Sequence, residues 1–210
     1  MVGTIVPVVN GNGAKWSERW LLVFHTCGLL VGGVVAGITV GLIGVSVSLL
    51  EHNISVLTPR HLISATALLI FGARELGLMH FTAPTSGWQV PRSWIPSLGI
   101  HSAALSYGAV LGTGVLTRIS NTGFHALIVW AMFSGRLLWC MVLLTWIAVW
   151  RAVPVLIVGR LYRNLGCDIG DCLRFATPFQ RIASVCVGLV CMCLGAFYVI
   201  QLLQAWSVSL

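Results

Sequence analysis

Seven cysteines, six histidines and a few ionisable side chains set in apolar surroundings are the residues of this chain that could do chemistry. A thiol carries electrons or holds a soft metal as a thiolate, normally as one of a pair. Five of the seven, Cys27, Cys140, Cys186, Cys191 and Cys193, stand in uncharged stretches, where cysteine packs as a small apolar residue. Cys186 and Cys193 share a helix face, whereas Cys191 and Cys193 point in different directions, so spacing dictates no pair. Cys167 and Cys172 bracket Asp168 and Asp171 in the segment CDIGDC. That arrangement offers a soft-metal clamp or a dithiol, although it is wider than the CxxC of zinc sites, and a solvated, reduced loop is the plainer reading.

His25, His80 and His101 each fall near an expected helix end at one and the same membrane face. Three imidazoles at one level could ligate a haem or a transition metal; each could equally reach interfacial water. His61 and His125 lie toward the opposite face. Arg74 and Glu75 stand one to two turns inside the end of the second expected span, within snorkelling reach of the interface. Without snorkelling, Glu75 is a buried carboxylate and hence a proton or cation site, with Arg136 its arginine counterpart if residues 124–150 form one helix.

The elements that must position these groups are membrane helices. The 210 residues are 58% hydrophobic and 8% charged, with mean hydropathy +0.95, whereas a soluble domain carries roughly 25% charged residues. Long uncharged runs cover residues 20–50, 93–117 and 182–210. A soluble globule, a collagen, a disordered tail and a disulfide-stapled secreted domain are all excluded. The net charge of +7 is carried by arginines that flank the expected spans, where they meet lipid headgroups and set orientation. They form no basic stripe interleaved with aromatics, so nucleic acid is not an expected partner. Nor is there a nucleophile with its base, a phosphate-cradling loop or a zinc-protease helix, so no independent soluble-type enzyme is expected.

The expected fold is all-α: one polytopic integral membrane domain over 1–210 with six, alternatively five, transmembrane helices. The spans run over about 20–49, 61–80, 98–117, 119–135, 137–158 and 182–205. The first run, 31 residues, exceeds the roughly 7–15 of a signal peptide's apolar region and is expected to stay as a helix. Gly33, Gly37 and Gly41, with Gly28, Gly32 and Gly44 nearby, form a small-residue strip for close helix packing, and Gly108 and Gly112 repeat the spacing. Pro84, Pro91 and Pro96 break the chain before the third span.

Residues 119–159 permit either a single helix through Arg136, at an insertion cost of about 2.5 to 3.5 kcal/mol, or two spans turning at Ser134-Gly135-Arg136. Arg160, Arg163, Arg174 and Arg181 mark 160–181 as a cytoplasmic loop in both versions. Counting basic residues, Arg151 among those inside, favours five spans.

LGTGVLTRISNTGFHALIVW at 111–130 resembles a glycine-rich approach to a helix break, and WRAVPVLIVG at 150–159 the Arg/His-x-x-Pro start of a later span. With the long first span, these are similar to the membrane domain of the CcdA and DsbD thiol-disulfide transporters of cytochrome c biogenesis. The resemblance implies six helices in two inverted repeats, a bacterial cytoplasmic membrane, and work in redox or metallocentre maturation or small-solute transfer. It also implies a relay cysteine in the first helix, for which Cys27 stands. At the second relay position the chain reads Thr117-Arg118-Ile119, without a thiol. The alternative is a non-catalytic accessory subunit of a larger membrane complex, carrying haem or metal on His25, His80 and His101. In either case the partners expected are the lipid bilayer and other membrane subunits.

Overall fold

The computed structural model describes residues 15–51, 58–82, 94–114, 122–165 and 169–208. Among them every regular element is helical: α1 Lys15–Glu51, α2 Thr58–Glu75, α3 Trp94–Leu98, α4 Ile100–Thr113, α5 Gly123–Phe133, α6 Leu137–Leu165 and α7 Ile169–Val208. Two of these are long and apolar enough to cross a membrane, through Trp20–Leu49 of α1 and Arg181–Gln204 of α7, at mean hydropathy 2.2 and 2.3. Gly123–Phe133 and Leu137–Val153 are apolar but shorter. Only 17% of the α7 stretch is buried, so its apolar side chains face outward, unlike those of a soluble core helix.

The stops come from glycine. α2 closes at Glu75, short of the span expected to reach residue 80. Gly77 takes φ +76°, the Leu78 N–H donates to the Ala73 carbonyl at 2.9 Å and the Gly77 N–H to Arg74 at 3.0 Å, which is the paired bonding of a Schellman stop. Gly114, at φ 70° and donating to Leu111 at 3.2 Å, ends α4. Gly135, at φ 64°, separates α5 from α6. The turn at 134–136 replaces the single helix through Arg136, which is exposed at the head of α6. At 1.5 Å per residue the 14 residues of α4 and the 11 of α5 measure about 21 and about 17 Å. Each falls short of a ~30 Å hydrocarbon layer. The expected 160–181 loop is helical on both sides of 166–168, as α6 runs to Leu165 and α7 starts at Ile169.

The fold gathers into two compact units, Met1–Ala36 with Ser86–Arg118 and Leu144–Phe179, and Gly37–Thr85 with Ile119–Leu143 and Gln180–Leu210. In the first, α1 and α4 run parallel in backbone contact. A side chain at Gly28 would strike the Leu105 carbonyl, at Gly32 that of Ala109, at Gly108 that of His25 and at Gly112 that of Leu29. Two glycine pairs at four-residue spacing thus interlock reciprocally, each backbone facing the other's carbonyls, an approach that lets Cα–H groups meet oxygen. Gly33 faces a different neighbour, α6, at Leu144, Thr145 and Ala148. Leu29, Leu111 and Ala152 form the core, with Tyr107 against them.

In the second unit α2, α5 and α7 enclose Leu68, Ala126 and Cys191, with Phe71, Trp130, Val187, Leu194 and Tyr198 around them. α2 and α7 run antiparallel: Glu75 lies against Gly188, Gly72 against Cys191 and Leu69 against Gly195. Gly37 and Gly41 receive Met141, Cys140 and Leu137 of α6.

Candidate functional site

Glu75, the last residue of α2, meets the first turn of α5. Its Oε1 accepts from the Thr122 N–H and the Thr122 hydroxyl, and from the Gly123 N–H at 3.3 Å. Thr122 is buried and Glu75 half-buried. The position follows from local rules: Gly77 ends α2 where the carboxylate can reach across, and the first N–H groups of α5 have no partner within their own helix. A carboxylate there satisfies those donors and complements the positive end of the helix dipole. Asn121-Thr122-Gly123 before an apolar run is the sequence signal for this helix start; nothing in the sequence points it at Glu75.

An aromatic stack adjoins the carboxylate. Phe71, one turn before Glu75, stacks on His125 at 5.6 Å and 19° and meets Phe81 at 5.8 Å. Arg74 does not pair with Glu75. Its Nε donates to the Phe81 carbonyl at 2.6 Å while the guanidinium lies 5.2 Å from the Phe81 ring. Residues 76–81 are thereby folded back over the end of α2. Farther along the unit, Trp130 Nε1 donates to the Tyr198 hydroxyl at 2.8 Å, and His61 packs on the Tyr198 ring at 5.6 Å.

The first unit holds a counterpart of opposite sign. Arg151 Nη1 donates to the Leu111 carbonyl at 2.8 Å, in the last turn of α4. A guanidinium at a helix C-terminus complements the negative end of the dipole. Counted in the sequence as a basic flank, Arg151 instead lies half-buried beside the Leu29 and Leu111 core, next to Ala152.

The remaining candidates are dispersed. His25 is 1% exposed, on α1 beside α4; His101, exposed, packs on Phe24 at 5.3 Å. His80 lies exposed beyond the end of α2, in the other unit. Among the described residues no three His, Cys, Asp or Glu side chains lie close enough to hold a metal ion. Cys27 is exposed and unpaired, Cys140 and Cys191 are buried, and Cys186 and Cys193 are exposed, all as free thiols. The Cys140 thiol donates to the Ala131 carbonyl at 3.1 Å. Cys167, the Cys172 side chain and Thr117-Arg118-Ile119 lie outside the described residues.

No family model, curated protein or solved structure matches the chain.

Proposed function

We propose that this is a multi-pass protein of a bacterial cytoplasmic membrane that transfers a small solute, with Glu75 as the carboxylate whose loading with a proton or cation drives the conformational cycle. The observation that carries this reading is the capture of Glu75 by three donors at the start of α5. An ionised carboxylate holds those bonds strongly, and a protonated or cation-bound one holds them weakly, so loading changes how firmly α2 grips α5. Short helices whose ends face ionisable groups are the arrangement by which transporters bind charge within a membrane. Exposed Leu138, Val142, Leu189, Val190 and Leu203 are the surface that lipid would cover. α4 and α5 are each shorter than a full crossing, and the turn at Ser134-Gly135-Arg136 stands where the six-span reading puts it. Arg160, Arg163, Arg174 and Arg181 then flank cytoplasmic helix ends.

Infrared titration of the protein in lipid vesicles tests the role of Glu75. A protonated-carboxyl stretch that rises on acidification and is missing in Glu75→Gln is the expected result; an identical spectrum in that variant would remove Glu75 from the proposal. The thiol relay of CcdA and DsbD finds less support, since Cys27 has no sulfur partner among the described residues.

A second reading, as a subunit of a larger membrane assembly, draws support from Trp139, Trp146 and Trp150, exposed on α6. Tryptophan favours the headgroup level, yet Trp139 and Trp150 are separated by about 17 Å of helix. The Trp146 and Trp150 rings, 6.1 Å apart, suit another helix better than acyl chains. Stoichiometric co-purification of a partner, lost in Trp146→Ala/Trp150→Ala, is the expected outcome on this reading.

A further inference from the structure

His25 is the anomaly of the first unit. Its side chain is 1% exposed, and the backbone of Ala104 lies beside it. Neither Nδ1 nor Nε2 makes a hydrogen bond of normal geometry. A buried polar group without a partner costs free energy and calls for an explanation. The backbone carbonyl of the same residue faces Gly108, at one end of the reciprocal glycine contact that continues through Gly28, Gly32 and Gly112. His25 therefore belongs to the backbone contact between α1 and α4, at one end of it.

The groups around it decide what a proton would do. The described titratable or charged side chains on the elements packed here are His101, on the Phe24 ring, and Tyr107, against Leu29 and Leu111, on α4; Arg151 of α6, on the Leu111 carbonyl; and Cys27 of α1, which is exposed. None is a carboxylate, and no carboxylate side chain is described in this unit. A neutral imidazole is tolerated in such a place. An imidazolium there has no counter-ion among the described side chains, and burial opposes its charge. The glycine contact cannot yield by a small adjustment, because backbone meets backbone along it, so relief requires the two helices to part.

We infer that His25 is a pH-sensitive switch: uptake of a proton from water by its imidazole releases α4 from α1. Histidine is the side chain whose charge changes in the physiological range, and the bistable element is the glycine-lined contact, closed when the ring is neutral and open when it is charged. Loading of Glu75 in the other unit is not required, so this switch and the proposed transfer function stand or fall separately.

Spin labels at Val23→Cys on α1 and Leu105→Cys on α4, both exposed positions, in the full chain with native cysteines replaced by serine and held in lipid nanodiscs, report the separation directly. Between about pH 8 and about pH 5 the distance distribution is expected to gain a longer component, absent from His25→Phe and His25→Gln. A wild-type distribution unchanged across that range overturns the switch, as does the same change in either variant. Nitrogen-15 histidine spectra of the unsubstituted protein supply a check that needs no variant: the His25 titration and the opening must share one midpoint, and separate midpoints refute the coupling.

Discussion

The two units solve the same problem with opposite chemistry. In each, a short helix ends against an ionisable side chain from another helix: Arg151 on the C-terminal turn of α4, Glu75 on the N-terminal turn of α5. Charge matches dipole in both. They differ in what lies next to the match. Beside Arg151, α4 is held by backbone packed on backbone through Gly28, Gly32, Gly108 and Gly112. Beside Glu75 the contacts are side chains, Phe71, His125, Phe81 and Arg74, and one end of the assembly is the folded-back segment 76–81. Backbone contacts are closed or broken, whereas side-chain contacts exchange partners. On the proposed reading the first unit acts as a clamp and the second as the site that loads and unloads.

That contrast breaks most readily at the glycines. Gly108→Leu drives a side chain into the His25 carbonyl and is expected to cost about 3 kcal/mol or more, the upper range for overpacking, because the obstacle is backbone; denaturant unfolding of the detergent-solubilised protein measures it. Glu75→Ala strips the acceptor from three donors and should cost about 2 to 3 kcal/mol. Glu75→Gln, which keeps an acceptor, should lose about 1 kcal/mol, so the difference between the two isolates the charge in the same unfolding assay. Arg151→Met takes the guanidinium from the Leu111 carbonyl, which keeps the Gly114 N–H, and retains an apolar stem, so about 1 to 2 kcal/mol is the expected loss. A loss equal to that of Gly108→Leu would mean that the first unit also depends on its charge, and the contrast would fail. The smallest effect belongs to Gly77→Ala. Nothing crowds that position, so only its φ of +76° opposes a side chain, at about 1 to 2 kcal/mol.

Much of this could be read along the chain and some of it could not. The small-residue spacing at Gly33, Gly37 and Gly41 announced close packing, yet it did not reveal that Gly28 and Gly32 meet α4 while Gly33 meets α6. Adjacent glycines on one helix point to different neighbours, and only the neighbours distinguish them. Gly77 carried a readable helix stop that a hydropathy-based span overran to residue 80, since Leu78 and Met79 prolong the apolar run past the backbone's turn. Arg136, at depth only in the five-span reading, stands exposed at the turn where the six-span reading placed it, whereas Arg151, expected at a flank, reaches a carbonyl beside the core. Local charge spacing cannot report which carbonyl lies across a helix interface.

Composition and run length alone pointed to apolar helices, and every regular element among the described residues is a helix, two of them long and apolar enough to cross a membrane, since such features follow from one-dimensional sums over side chains. The singling out of Glu75 was also legible there, because a carboxylate in apolar surroundings is conspicuous wherever it folds. Only the tertiary structure decided that Glu75 answers to Thr122, that Arg151 answers to Leu111, and that the His25 ring is buried with the Ala104 backbone beside it. Each is a relation between residues tens of positions apart along the chain, and a hydrogen bond depends on distance and direction in space, which a linear pattern does not contain.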